Sequence, residues 1–99
     1  MAEPLPLTEP ADPSFAEMLA LRPHLSLHAM DGLLMEEVPL ARIAAEVGTP
    51  AWVYSAGALR RRARALRAAL DGAGLRASVH FAMKCNDNLS VLRVLAAEG

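Results

Sequence analysis

Apolar residues that recur every three or four positions predict the helices of this chain. The longest pattern covers residues 56–71, where one apolar stripe runs along a helix whose other faces carry arginine. Shorter patterns of the same period predict helices at 40–47 and 89–98. The residues of the long stripe are Leu59, Ala63, Leu66 and Leu70.

Residues that favour helix N-termini stand at the borders of these patterns. Ser14 followed three residues later by Glu17 is a capping-box pattern, and it predicts a further short helix. Ser55 is the predicted N-cap of the long helix. Either Asn86 or Asp87 is the predicted N-cap of the last helix.

Three stretches have the patterns of β-strands. Residues 25–36 predict a hairpin, because two short apolar runs flank an Asp-Gly turn. Residues 51–54, Ala-Trp-Val-Tyr, predict a single strand. Residues 77–84 alternate in character and predict a strand that ends at Lys84. Its two faces would carry Val79, Phe81 and Met83 on one side and Ser78, His80, Ala82 and Lys84 on the other.

Composition excludes several classes of protein. The 99 residues are 54% hydrophobic with a formal net charge of −1, so no basic surface for nucleic acid is expected. The apolar runs are too short to span a membrane, and the start of the chain lacks a secretory pattern. Four prolines in residues 1–13 predict an extended arm. Because Cys85 is the only cysteine, we expect a reduced, cytoplasmic protein.

Lys84 is the strongest candidate for chemistry. It is the only lysine of the chain, and it stands at the predicted C-terminal end of a strand, where α/β barrels place catalytic groups. Lysine can form a Schiff base with a carbonyl group, whereas arginine cannot lose its proton to do so. The plain alternative is a solvated charge at a strand end.

Other chemical motifs are absent from the sequence. There is no phosphate-binding glycine loop, no nucleophile elbow and no paired-cysteine metal site, so no metal is predicted. The arginine run of residues 60–67 fits either an anion-binding patch or, more simply, a solvated helix face. Without aromatic residues among the charges, we favour the solvated face.

Two groups of motifs carry a resemblance to a known family. Residues 81–86 read Phe-Ala-Met-Lys-Cys-Asn and are followed by Asp-Asn-Leu-Ser-Val-Leu. Within residues 31–55 stand Asp-Gly, Val-Pro-Leu, Ile-Ala, Val-Gly-Thr-Pro and Val-Tyr-Ser, in that order. This series of motifs resembles that of the diaminopimelate decarboxylases, pyridoxal-phosphate enzymes built on an alanine-racemase-type barrel. The resemblance covers roughly residues 25–99.

The resemblance implies a fold larger than this chain. It makes the chain an N-terminal fragment of an α/β protein with a pyridoxal-phosphate-binding (β/α)8 barrel. Residues 1–24 would be an arm with a short helix, and residues 25–54 would belong with a C-terminal β-domain. Residues 55–99 would be the incomplete start of the barrel. Because a barrel of this type needs about 250 residues, the fragment alone is expected to be inactive.

The resemblance also implies the reaction and the site. The enzyme would decarboxylate meso-2,6-diaminopimelate to L-lysine, the last step of lysine biosynthesis, in the cytoplasm and as a homodimer. Lys84 would hold pyridoxal 5'-phosphate, small Ala82 would let the flat ring lie over it, and His80 would be either a buried core histidine or a cofactor contact. We expect Cys85 to be a buried small hydrophobe and Asn86 to hold the loop.

Three alternatives remain open at this stage. Lys-Cys-Asn-Asp itself resembles ornithine- or arginine-type decarboxylases of the same fold, although the Val-Gly-Thr-Pro segment favours the diaminopimelate enzymes. A non-catalytic binding homologue is the second alternative, and the intact Lys84 argues against it. A free-standing small α/β module is the third. Nucleic acid and membrane partners are not expected under the decarboxylase interpretation.

Overall fold

A computed structural model describes residues 11–99, and it shows a mixed α/β chain. The predicted proline-rich arm lies outside the described residues as far as Pro10. In chain order, the elements are α1 (Phe15–Ala20), β1 (Leu25–His28), β2 (Gly32–Met35), β3 (Val38–Pro39), α2 (Leu40–Val47), α3 (Ala56–Gly72), a 3₁₀ turn (Met83–Cys85) and α4 (Leu89–Ala97).

The strands form one small antiparallel sheet in the order β1-β2-β3. Strands β1 and β2 make the predicted hairpin, in which Leu25 lies opposite Met35. Gly32 has a φ of 72°, a left-handed conformation that glycine adopts without steric cost. The sequence pattern did not predict β3, a strand of two residues that pairs Val38 with Met35.

The predicted caps of α1 and α3 are confirmed. Ser14 and Glu17 form the capping box, because the Glu17 amide donates to Ser14 Oγ at 3.3 Å and the Ser14 amide donates to Glu17 Oε2 at 2.8 Å. The hydroxyl of Ser14 also donates to the Glu17 carboxylate and lowers its pKa. Ser55 Oγ accepts from the Ala58 amide at 2.9 Å, so α3 begins where the sequence predicts.

The predicted cap of α4 is wrong, because Asn88 takes that role in place of Asn86 or Asp87. Asn88 Oδ1 accepts hydrogen bonds from the amides of Ser90 at 3.0 Å and Val91 at 3.2 Å. The residue directly before the first helical residue is best placed to reach these amides. Asn86 holds the loop one step earlier, since its Oδ1 accepts from the Asn88 amide at 3.2 Å.

The two single strands predicted from local pattern are also wrong for this chain. Residues 51–54 and 77–82 have no regular structure, and the tight turn Met83–Cys85 follows the second stretch. A strand is defined by hydrogen bonds to a neighbouring strand. No strand within residues 11–99 lies beside either stretch, so their β-favouring side chains have no ladder to join.

Little of the described part of the chain is buried. Among residues 11–99 only Val91 and Ser55 are shielded from solvent, whereas large apolar side chains such as Trp52 are exposed. The radius of gyration is 18.8 Å, whereas a compact domain of this length would have about 13 Å. These described residues therefore do not enclose a hydrophobic core of their own.

Arginines of α3 hold the end of α4. Arg64 forms a bidentate pair with Glu98, with Nε–Oε2 at 2.7 Å and Nη2–Oε1 at 3.0 Å. Arg60 Nε lies 3.9 Å from Glu98 Oε1, and Arg67 Nη2 donates to the Gly99 carbonyl at 2.5 Å. The arginine run is thus not only a solvated face, because three of its members join α3 to the residues that end α4.

The Arg64–Glu98 pair predicts a measurable titration. The hydrogen bond from Arg64 lowers the pKa of the Glu98 carboxyl, so the pair stabilises the folded chain at higher pH. This stabilisation begins to fall below about pH 4.3, the ordinary glutamate pKa, and is gone once the pH is below the lowered pKa. An NMR titration of the Glu98 side-chain carboxyl carbon should show the lowered pKa, and Arg64→Gln should return it towards the ordinary value.

Arg62→Gln is the matched control, because Arg62 lies on the same helix and makes no ion pair with Glu98 within the described residues. That variant should leave the Glu98 titration in place. An ordinary Glu98 pKa in the unsubstituted chain would show that the two helices do not meet as described.

Candidate functional site

Lys84 lies at the centre of the tight turn Met83–Cys85, with its side chain exposed. The turn is closed by backbone hydrogen bonds, from the Cys85 amide to the Ala82 carbonyl at 3.2 Å and from the Asn86 amide to the Met83 carbonyl at 3.0 Å. The Lys84 amine makes no hydrogen bond or ion pair with any of residues 11–99. The amine is therefore accessible and not committed to a structural contact within this part of the chain.

The other two predicted cofactor residues lie just before the turn. Ala82 is exposed, so its small side chain leaves free space beside the backbone. His80 is also exposed, with Nε2 3.0 Å from Ser78 Oγ. The expectation of a buried core histidine is wrong here, because no second strand covers the face on which His80 stands.

Cys85 corrects a further expectation. It is exposed, whereas the sequence predicted a buried small hydrophobe. Its thiol donates to the Ala82 carbonyl at 3.0 Å and thereby helps to hold the turn. Cys85 is exposed for the same reason as His80, because no described strand or helix packs over it.

An open apolar groove lies beside the segment that leads to Lys84. It has a volume of about 620 Å³, and helices α3 and α4 form its other walls. Residues Val79, Phe81 and Met83, the predicted apolar face of the segment, all line this groove. Ala82 and Lys84 do not line it, although His80 does. The apolar residues of this segment thus lie on one side, and Ala82 and Lys84 lie away from it, as the sequence predicts, although no sheet is present.

The described residues contain neither a metal site nor a membrane span. No group of three or more His, Cys, Asp or Glu side chains in residues 11–99 is arranged to hold a metal ion. In the same part of the chain, no helix has both the length and the apolar character needed to cross a bilayer.

Sequence reasoning missed one polar cluster, which joins the sheet to α3. Ser55 was predicted only as a cap, but its hydroxyl also donates to the Glu36 carboxylate. Residues 36 and 55 are nineteen positions apart, and no local spacing connects them. Two adjacent glutamates at a turn between strands are the only local feature that could have drawn notice.

Comparison with known proteins gives a consistent result. The chain is 48% identical over 68 residues to a diaminopimelate decarboxylase of Zymomonas mobilis, which is 68% of this chain and 16% of that relative. It is 48% identical over 67 residues to one of Pseudomonas aeruginosa, with the same coverage of both. A third, of Streptomyces coelicolor, is 38% identical over 93 residues, which is 94% of this chain and 17% of the relative.

The chain spans about a sixth of the length of the curated relatives it matches. No model of a known protein family matches it, and no solved structure matches it significantly. Eight curated relatives do match, and each of the eight carries the same enzyme name. The resemblance predicted from the motifs is therefore confirmed, and this chain is a relative of the diaminopimelate decarboxylase family.

Proposed function

We propose that this chain is a segment of a pyridoxal-phosphate-dependent decarboxylase that converts meso-2,6-diaminopimelate to L-lysine. The shared name of the eight relatives supports the reaction. The position of Lys84 is the observation that assigns the proposed reaction to a particular residue. It is the sole lysine, its amine is accessible, and the apolar residues just before it line a groove against α3 and α4.

The residues present fit the proposed cofactor. Pyridoxal phosphate has an aldehyde that joins covalently to a primary amine, and Lys84 provides the one lysine amine of the chain. When bound, the cofactor supplies an electron sink for loss of carbon dioxide from an amino acid. Ala82 would leave room for its flat ring, and His80 would stand beside it.

The residues around Lys84 fix the position of its backbone. Cys85 and Asn86 close the turn through the hydrogen bonds to Ala82 and Met83, and Asn86 then holds Asn88 at the start of α4. In this arrangement Lys84 does not line the groove and lies in the turn that follows the irregular segment. A lysine held in this way would leave its amine free for the covalent link to the cofactor.

The larger architecture follows from the same proposal. Residues 55–99 would begin the (β/α)8 barrel, and residues 25–54 would pack with a C-terminal β-domain. The exposed apolar side chains and the open groove support this, because such surfaces are normally covered. We further propose a cytoplasmic homodimer that acts on an amino acid, with the cofactor phosphate held by residues outside this chain.

Lys84 provides the first test of the proposal. Borohydride reduction of the whole protein loaded with pyridoxal phosphate should fix the pyridoxyl group to the peptide that contains Lys84. Lys84→Ala should lose the label and nearly all turnover, and Lys84→Arg should fare little better because guanidinium cannot form the covalent link. Peptide mapping by mass spectrometry and a decarboxylation assay measure the two effects.

Arg76→Ala is the matched control, because Arg76 is an exposed charge at the other end of the same segment. It should keep label and turnover and change the free energy of unfolding by no more than about 0.5 kcal/mol. Turnover by Lys84→Ala at the unsubstituted rate, or a label on a different lysine, would contradict the assignment.

The substrate is tested separately. Released carbon dioxide, measured for the whole protein with each amino acid in turn, should show higher kcat/KM for meso-2,6-diaminopimelate than for ornithine. The reason is the shared name of the relatives, which favours the diaminopimelate enzymes over the neighbouring ornithine type. Faster turnover of ornithine would move the chain to that neighbouring group. No turnover of either amino acid by a cofactor-loaded protein would favour a binding homologue.

A further inference from the structure

A single carboxylate joins the three-stranded sheet to the start of α3. Glu36 lies in the turn between β2 and β3, and its Oε1 accepts a hydrogen bond from Ser55 Oγ. The same oxygen lies 3.6 Å from Arg61 Nη2 on the first turns of α3. Ser55 is one of two buried residues in the described chain, and it also caps α3. The sheet and the helix therefore meet at one polar cluster.

The backbone of Glu36 indicates that its side chain is needed. Its φ is 55°, and it is the only non-glycine residue in the described part of the chain with a positive φ. Glycine adopts this conformation without steric cost, and a side chain there is strained. The Glu36 amide also donates to the His24 carbonyl at 2.7 Å, which fixes the turn. A strained residue held by several contacts points to a specific role.

Gly57 provides a second, independent observation. A Cβ atom at position 57 would lie 2.5 Å from Glu36 Oε1 and 3.2 Å from Arg61 Nη1. Glycine inside a helix is normally less favourable than alanine. A Cβ atom at position 57 would displace the Glu36 carboxylate, the end of a flexible side chain, so glycine there leaves room for its contacts with Ser55 and Arg61.

Apolar packing between the sheet and α3 is loose at this point. A small open groove of about 220 Å³ lies between the two, lined by His24 and Met35 on one side and Ala58 and Leu59 on the other. Because this space is not filled, burial of apolar surface contributes little to holding the sheet in place. The polar cluster is then the main link between the two elements.

We infer that Glu36 is a latch, which fixes the three-stranded sheet on the N-terminus of α3 through Ser55 and Arg61, and that glycine at position 57 leaves room for its carboxylate. The inference is independent of the proposed reaction, because none of these residues lies beside Lys84. It assigns a conformational role to a residue that would otherwise be an exposed turn glutamate.

Substitutions at positions 36 and 57 test the latch. Glycine normally stabilises a residue position with positive φ and destabilises a helix, and the latch predicts the opposite effect at each position. Glu36→Gly relieves the backbone strain and would stabilise an ordinary turn, but it should lower the melting temperature of the whole protein if the carboxylate is the latch. Hydrogen–deuterium exchange of residues 25–39 should become at least roughly tenfold faster, as expected for loss of a charge-assisted hydrogen bond. Exchange in α4 should not change.

Gly57→Ala completes a double-substitution cycle. It should lower the melting temperature in the unsubstituted protein, where the new Cβ meets the carboxylate, and raise it in the Glu36→Gly background, where only the usual helical preference for alanine remains. Glu37→Gly is the matched control, since it removes the neighbouring carboxylate, for which residues 11–99 offer no ion-pair partner. It should leave the exchange of residues 25–39 unchanged.

Three results would overturn the latch. These are a higher melting temperature for Glu36→Gly, unchanged exchange of residues 25–39 in that variant, or an equal effect of Gly57→Ala in both backgrounds. Should Glu36→Gly yield no folded protein, Glu36→Gln carries the same exchange test. It removes the charge that faces Arg61 while keeping the side-chain length, so exchange of residues 25–39 should again be faster, and unchanged exchange would refute the inference.

Discussion

A β-strand exists only where a second strand provides hydrogen bonds, and this constraint governs most of the structure. Residues 77–84 have the alternating pattern of a strand, yet they form an irregular segment and part of a tight turn because no described strand pairs with them. The exposure of His80 and Cys85 and the open groove against α3 and α4 follow from the same cause. In the proposed whole enzyme, neighbouring strands would complete this surface.

Polar contacts hold the described elements together where apolar burial is small. The Arg64–Glu98 pair joins α3 to α4, and the Glu36–Ser55 contact joins the sheet to α3. Exposed ion pairs usually contribute little to stability, since water screens them and the side chains lose entropy. The exposed Arg64–Glu98 pair therefore orients α3 and α4 more than it stabilises them, whereas the Glu36–Ser55 hydrogen bond involves a buried hydroxyl and also contributes to stability. The proposed role of Lys84 depends on that orientation, because its turn connects the groove wall to α4.

The sequence predicted those features whose causes are local. The helix α3 follows from its apolar stripe and the Ser55 cap, and the hairpin follows from its Asp-Gly turn. Features that depend on distant residues could not be predicted in this way. The strand expected at 77–84 needs a partner, and the Glu36–Ser55 contact joins residues far apart in sequence. Lys84 was singled out by its residue type and motif, whereas its surroundings depend on the rest of the protein.

We propose that residues 77–84 become a strand, with Lys84 at its end, once neighbouring strands are present. Amide hydrogen exchange across these residues tests it most directly, in the whole protein and in the 99-residue chain alone. The whole protein should strongly protect these amides, because a central strand bonds them on both sides, and the isolated chain should exchange them as fast as an unstructured peptide. Rapid exchange across residues 77–84 in the whole protein would contradict the claim.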